Sequence, residues 1–218
     1  MYAWTLIVVL LMVMALAYHL GRKRAIASAG GVTQINTLHS LPSYYGLYAA
    51  IWAGLPALLL MGLWFGFQDQ IVTSLVTANL PAEMLDGQSS GRVGLILNDI
   101  KNLATGNIVS ATVTPEVQAA ADQYARLARI ANWAMWLAVL AVAVGGMAYA
   151  WLRTEPQMRA RNRVESIFKF IMITFSSIAI LTTLGIVLSV VFESFRFFQM
   201  ISPQEFLLGT KWSTQIAQ

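Results

Sequence analysis

The side chains in this sequence best suited to proton transfer or metal ligation are His19 and His39, and neither has the company such chemistry needs. An imidazole acting as base or ligand wants a carboxylate or a second ligand nearby, and no acid lies close to either in the chain. His19 stands at the end of an apolar run beside basic residues, the place of an interfacial side chain. The ten acidic residues are scattered singly over segments that read as loops, so no carboxylate pair is arranged for acid–base work. Cysteine is absent, which excludes thiolate nucleophiles, disulfides and cysteine metal sites. No phosphate-cradling glycine loop ends in Lys-Ser or Lys-Thr, so any ATP-driven work takes its ATPase from another chain. Glu193 and Arg196, three residues apart, are the one oppositely charged pair near an apolar run on its outer side. They can pair on one helix face, or Arg196 can attract an anion, but anchoring among Phe195, Phe197 and Phe198 is simpler. The expected catalytic, cofactor-binding and metal residues are therefore none, no cofactor is expected, and substrate-binding residues are unassigned. The chain is not expected to be an enzyme.

The elements that carry these residues are membrane elements. Of the 218 residues 57% are hydrophobic and 11% charged, against roughly 25% charged in soluble domains. The net charge of +4 brackets apolar runs instead of forming a patch for nucleic acid, which is not an expected partner. Four runs are long enough to cross about 30 Å of hydrocarbon: residues 4–20, 45–67, 130–152 and about 167–192. The first is not read as a cleaved signal peptide, because its basic residues Arg22, Lys23 and Arg24 follow it. The fold class expected is an all-α integral membrane protein of about four transmembrane helices, with a small helical periplasmic cap between spans 2 and 3.

Basic residues set the orientation. Arg22, Lys23 and Arg24 follow the first span, and Arg153, Arg159, Arg161 and Arg163 lie between the third and fourth. Both short loops are expected to be cytoplasmic, which puts the N-terminus, the 68–129 stretch and the C-terminal tail outside.

Within that stretch Leu95, Ile96, Ile100 and Leu103 follow helical spacing between Gly91 and Gly106. Thr114-Pro115-Glu116 reads as a helix start, and that helix is expected to continue unbroken into the third span. Small residues mark where helices approach closely in lipid: Gly46, Ala50 and Gly54 on the second span, Gly185 and Ser189 on the fourth. On the third, Ala141, Gly145 and Ala148 form the expected contact stripe, with Ala138, Gly146 and Ala150 as a weaker rival. Pro56 predicts a kink in the second span. Ser176, Ser177, Thr182 and Thr183 are read as packing residues, with a polar conduit as the lesser alternative.

From Arg163 the sequence runs "RVESIFKFIMITFSSIAILTTLGIVLSVVFESFRFFQMISPQEFLLGTKWS". It resembles the start of the membrane permease subunit of bacterial phosphate ABC transporters, the PstC type. A first core helix begins with charged residues like Glu165 and Lys169 and exits into an aromatic segment like "FESFRFF". The upstream stretches "GRKRAIASAGG" and "LHSLPSYYGLYAAIWAGLPALLL" resemble the N-terminal extension of some members. The resemblance implies an extension over 1–152, then a second part, 153–218, of basic loop, first permease-core helix and outer tail. It also implies a second permease subunit, a cytoplasmic ATPase dimer and a periplasmic phosphate-binding protein as partners, in the bacterial inner membrane. "ASAGGVTQINTLHSLP" only faintly echoes the family's ATPase-docking loop, since the acidic start is missing. The chain is thus expected to be the N-terminal portion of the permease, truncated before the core and not transport-competent alone. The competing expectation is a membrane sensor or assembly module that uses the outer 68–129 cap to bind a partner or ligand.

Overall fold

In a computed structural model, residues 3–81, 90–109, 113–201 and 203–209 are described. Glu83 and Asp86 of the cap and Lys211, Trp212 and Ser213 of the tail lie outside them. The elements in order are α1 (Ala3–Ser28), a 3-10 helix (Val32–Thr37), α2 (Pro42–Thr77), α3 (Ser90–Thr105), α4 (Pro115–Leu152), α5 (Ala160–Met200) and α6 (Pro203–Leu208). No strand occurs among the described residues, and four helices are long and apolar enough to cross a membrane. The protein is an all-α, multi-pass membrane protein. Two units make up the chain, Met1–Val164 and Glu165–Gln218, and each is described by itself.

In the first unit α1 packs along α2 and α2 along α4, with α1 touching α4 more lightly. The turn from α1 to α2 depends on glycine. Gly31 N–H bonds Ile26 C=O (3.0 Å) and Gly30 N–H bonds Ala27 C=O (3.2 Å), while Gly30 has φ +94°. This is the left-handed helix ending that a side chain disfavours. The seam between α1 and α2 runs through Gly46 and Gly54, as the small-residue spacing predicts. A Cβ on Gly46 would come within 2.7 Å of the Tyr18 ring, and one on Gly54 would strike Met14 Sδ.

The α2–α4 seam corrects the expected stripe on the third span. Ala141, Gly145 and Ala148 are exposed, and a Cβ on Gly145 would meet no atom within 4 Å. The rival face is the packed one, with Met135, Val139, Ala143 and Ala150 buried and Gly146 half-buried. A Cβ on Gly146 would collide with the Trp52 carbonyl. Pro56 explains why that carbonyl is available. The donor four residues after Trp52 would be the N–H of residue 56, which proline lacks. α2 stays helical through Pro56, and Gly146 places its small Cα face on the freed oxygen. A Cα–H···O contact of this kind suits helices packed in lipid.

α2 has 36 residues and α4 has 38, lengths of about 54 and 57 Å at 1.5 Å per residue. Both therefore exceed the roughly 30 Å of hydrocarbon, and their far ends carry the cap. Thr114 caps α4, its Oγ1 accepting from Val117 N–H (3.4 Å), with Pro115 in the first turn, and the helix runs unbroken to Leu152. α3 packs on α4 through Ile100, with Val76, Leu80, Ala120 and Ala121 completing a small core. Ile96 and Leu103 flank that core, whereas Leu95 is exposed, because 96, 100 and 103 define the inward face and 95 lies about 100° away.

Candidate functional site: a latched basic end and an uncovered helix

At the end of the first unit that holds the basic residues, a buried tyrosine ties two distant stretches of chain together. Tyr45, at the start of α2, is fully buried, and its hydroxyl lies 3.0 Å from Pro156 C=O and 2.9 Å from Met158 C=O. His39 N–H adds a bond to the same Pro156 carbonyl (3.1 Å), and Ser40 Oγ accepts from Arg161 N–H (3.3 Å). Thr154, also buried, donates back to Ala150 C=O (2.8 Å). The loop after α4 is thereby fastened to the start of α2.

Guanidinium groups lie over aromatic rings around this latch. Arg24 lies 5.6 Å from the centre of the Trp151 ring, Arg153 5.7 Å from Tyr149, Arg161 6.0 Å from Tyr44 and Arg163 5.9 Å from Tyr48. Tyr48, Trp52 and Tyr149 form a ladder, with ring centres 6.2 and 4.8 Å apart. Arg163 and Arg153 therefore stand at its two ends, and Arg163 also donates to the Tyr48 hydroxyl (3.4 Å). No carboxylate is set against Arg24, Arg153 or Arg163 among the described residues.

A polar cluster of opposite character holds the cap. Asp69 accepts from Lys101 Nζ and from the Tyr124 hydroxyl, both at 2.8 Å. These hydrogen bonds, Lys101 first, hold the Asp69 carboxyl below its ordinary value. Burial, helped by Asp69, pushes the Tyr124 phenol up to about 12. At the adjacent residue of α2, Gln68 Nε2 donates to Asn132 Oδ1 (3.0 Å) between α2 and α4.

The second unit contrasts with both. Not one residue of the 18-residue apolar window of α5 is buried. Its hydroxyls turn back on their own helix: Thr174, Thr182 and Thr183 each donate to the carbonyl four residues earlier at 2.9 Å. Bonds of this kind satisfy a hydroxyl within its own helix. A Cβ on Gly185 would meet nothing within 4 Å. Beyond the apolar run Phe197, Phe198 and Phe206 form a triad with ring centres 5.2–6.0 Å apart. With Ser189, Glu193 and Ser194 they line a cleft of about 480 Å³.

Residues 7–182 match a protein family described as phosphate ATP-binding cassette transporter. The chain belongs to that family. No curated protein and no solved structure matches it.

The stretch shared with this transporter family takes in nearly all of α1, the whole of α2 to α4 and more than half of α5. Of the residues singled out from sequence, His19 is exposed and rests edge-on against Tyr18, with ring centres 5.6 Å apart. His39 contributes its backbone and keeps an exposed side chain. No group of acids and histidines able to hold a metal occurs among the described residues. Glu193 and Arg196 are not joined in an ion pair. Sequence reasoning missed the Tyr45 latch and the Tyr48–Trp52–Tyr149 ladder. The only signal was the aromatic density of "SYYGLYAAIW" opposite the arginines of the later loop.

Proposed function

We propose that the chain is a membrane permease component of an ATP-driven phosphate import system, of the PstC type. The observation that carries this reading is the family match over residues 7–182. In it, 1–152 is an N-terminal membrane extension and α5 is the first helix of the permease core. The exposed surface of α5 supports that role, since an apolar helix of a permease core is made to pack on further transmembrane helices. The partners are a second permease subunit, a cytoplasmic ATPase dimer and a periplasmic phosphate-binding protein. The membrane is the bacterial inner membrane. The arginine-rich end faces the cytoplasm, by the bias of short basic loops, with the cap and both termini in the periplasm.

The test is uptake of labelled phosphate by host cells lacking this chain. Loss of ATP-dependent uptake is expected in those cells, and the 218-residue chain reconstituted without its partners is expected not to move phosphate; unchanged uptake in the cells would overturn the assignment. Orientation is checked separately in this cysteine-free chain. In intact cells an impermeant thiol reagent should label Lys101→Cys and spare Arg24→Cys and Arg159→Cys, and the opposite pattern inverts the topology.

A further inference from the structure

We propose that the basic end of the first unit is a binding surface for the phosphate groups of anionic phospholipids, with Arg24, Arg153 and Arg163 as its principal cations. The three guanidinium carbons lie over rings belonging to the ends of α2 and α4, 5.6 to 5.9 Å from the ring centres. A guanidinium held against a ring keeps N–H groups that can donate to a phosphate oxygen, and Arg163, which gives one to the Tyr48 hydroxyl, has others left. All three are exposed, and among the described residues no carboxylate occupies them.

Their level on the helices argues for a lipid rather than an acidic protein. Tyr149, Trp151 and Leu152, the last turn of α4, are 40%, 36% and 78% exposed, so apolar and aromatic surface continues right up to the cations. Tyrosine and tryptophan at the end of a span mark the depth of the lipid headgroups. Cations lying over those same rings sit at that depth, where anionic headgroup phosphates complement them.

The chain purified with its membrane partners in zwitterionic detergent can be titrated with phosphatidylglycerol, phosphatidylcholine and inorganic phosphate while bound lipid is counted by native mass spectrometry. Phosphatidylglycerol should be retained and phosphatidylcholine should not. Removing two cations in Arg153→Gln/Arg163→Gln should weaken retention roughly 30-fold, from about 1 kcal/mol per basic residue at an anionic surface. Arg92→Gln/Arg129→Gln, which removes two exposed cations at the cap end, should leave retention unchanged. Arg153→Lys/Arg163→Lys keeps the charge while losing the guanidinium fork over the ring, and should retain lipid at an intermediate level. It provides the comparison if the glutamine variant does not fold. Equal retention of phosphatidylcholine, an equal loss in the cap control, or a lysine variant matching wild type would each overturn the proposal. So would displacement of the lipid by millimolar inorganic phosphate, which would mark a site for the free anion, or loss of lipid when an acidic partner chain binds there.

Discussion

α4 and α5 are similar in length and both apolar enough to span a bilayer, yet their surroundings differ completely. Of the apolar window of α4, 22% is buried; of that of α5, none is. Apolar character does not separate them, because α5 is the more apolar of the two. In the first unit α4 has small residues aligned with polar or backbone groups on a neighbour. α4 offers Ala143, Gly146 and Ala150 to α2, adds Asn132 opposite Gln68, and is tied below by Tyr45. In lipid the hydrocarbon tails are as apolar as leucine, so helices associate by close packing and hydrogen bonds, not by hydrophobicity. α5 has Gly185 open to its surroundings and threonines bonded to their own helix.

The largest effect that could break this comparison is at Gly146. Gly146→Leu drives a side chain into the Trp52 carbonyl and should cost about 2–3 kcal/mol or prevent folding. Gly145→Leu and Gly185→Leu meet open space and should stay within about 0.5 kcal/mol for the fold of this chain. Folded yield and thermal unfolding in detergent read all three. An equal loss at either control glycine erases the distinction between packed and uncovered helices.

A smaller effect is expected at the latch. Tyr45→Phe keeps the ring but removes the hydroxyl donor shared by the Pro156 and Met158 carbonyls, which retain His39 N–H and Ala160 N–H, for a cost of about 1 kcal/mol. The loop at 153–159 should become more accessible to protease, with the cap unchanged. An unaltered cleavage pattern would show that the loop is held by the His39 and Ser40 contacts alone.

The smallest effect belongs to the cap. Asp69→Asn removes an exposed ion pair and should cost less than about 1 kcal/mol. The pH dependence has two edges. Asp69 sits below its ordinary 3.8 when folded, so its contribution is present above about pH 4 and fades as pH falls further. Tyr124 rises from 10.0 to about 12, so its contribution is full below pH 10 and is lost as pH climbs toward 12. Cap stability should be flat between these limits, and Asp69→Asn should flatten the acid edge. An acid edge that persists in that variant would place the sensitive group elsewhere.

The sequence by itself determined the number and kind of the long helices, since a run of apolar residues in lipid must satisfy its backbone internally. It determined the start of α4 at Thr114-Pro115, because capping chemistry is local. It also carried the family, through residue order along the chain. Only the tertiary structure decided which face of α4 is buried. Gly145 and Gly146 are adjacent in sequence and about 100° apart on the helix, and a stripe of small residues lies on both faces. The choice fell to Gly146 because Pro56, far away in the chain, leaves a carbonyl that only a glycine can approach. The ties between Tyr45 and Met158 and between Arg163 and Tyr48, more than a hundred residues apart, were equally beyond local reading. Partners at that separation are set by how helices fold back on one another, not by the spacing of residues along any one of them.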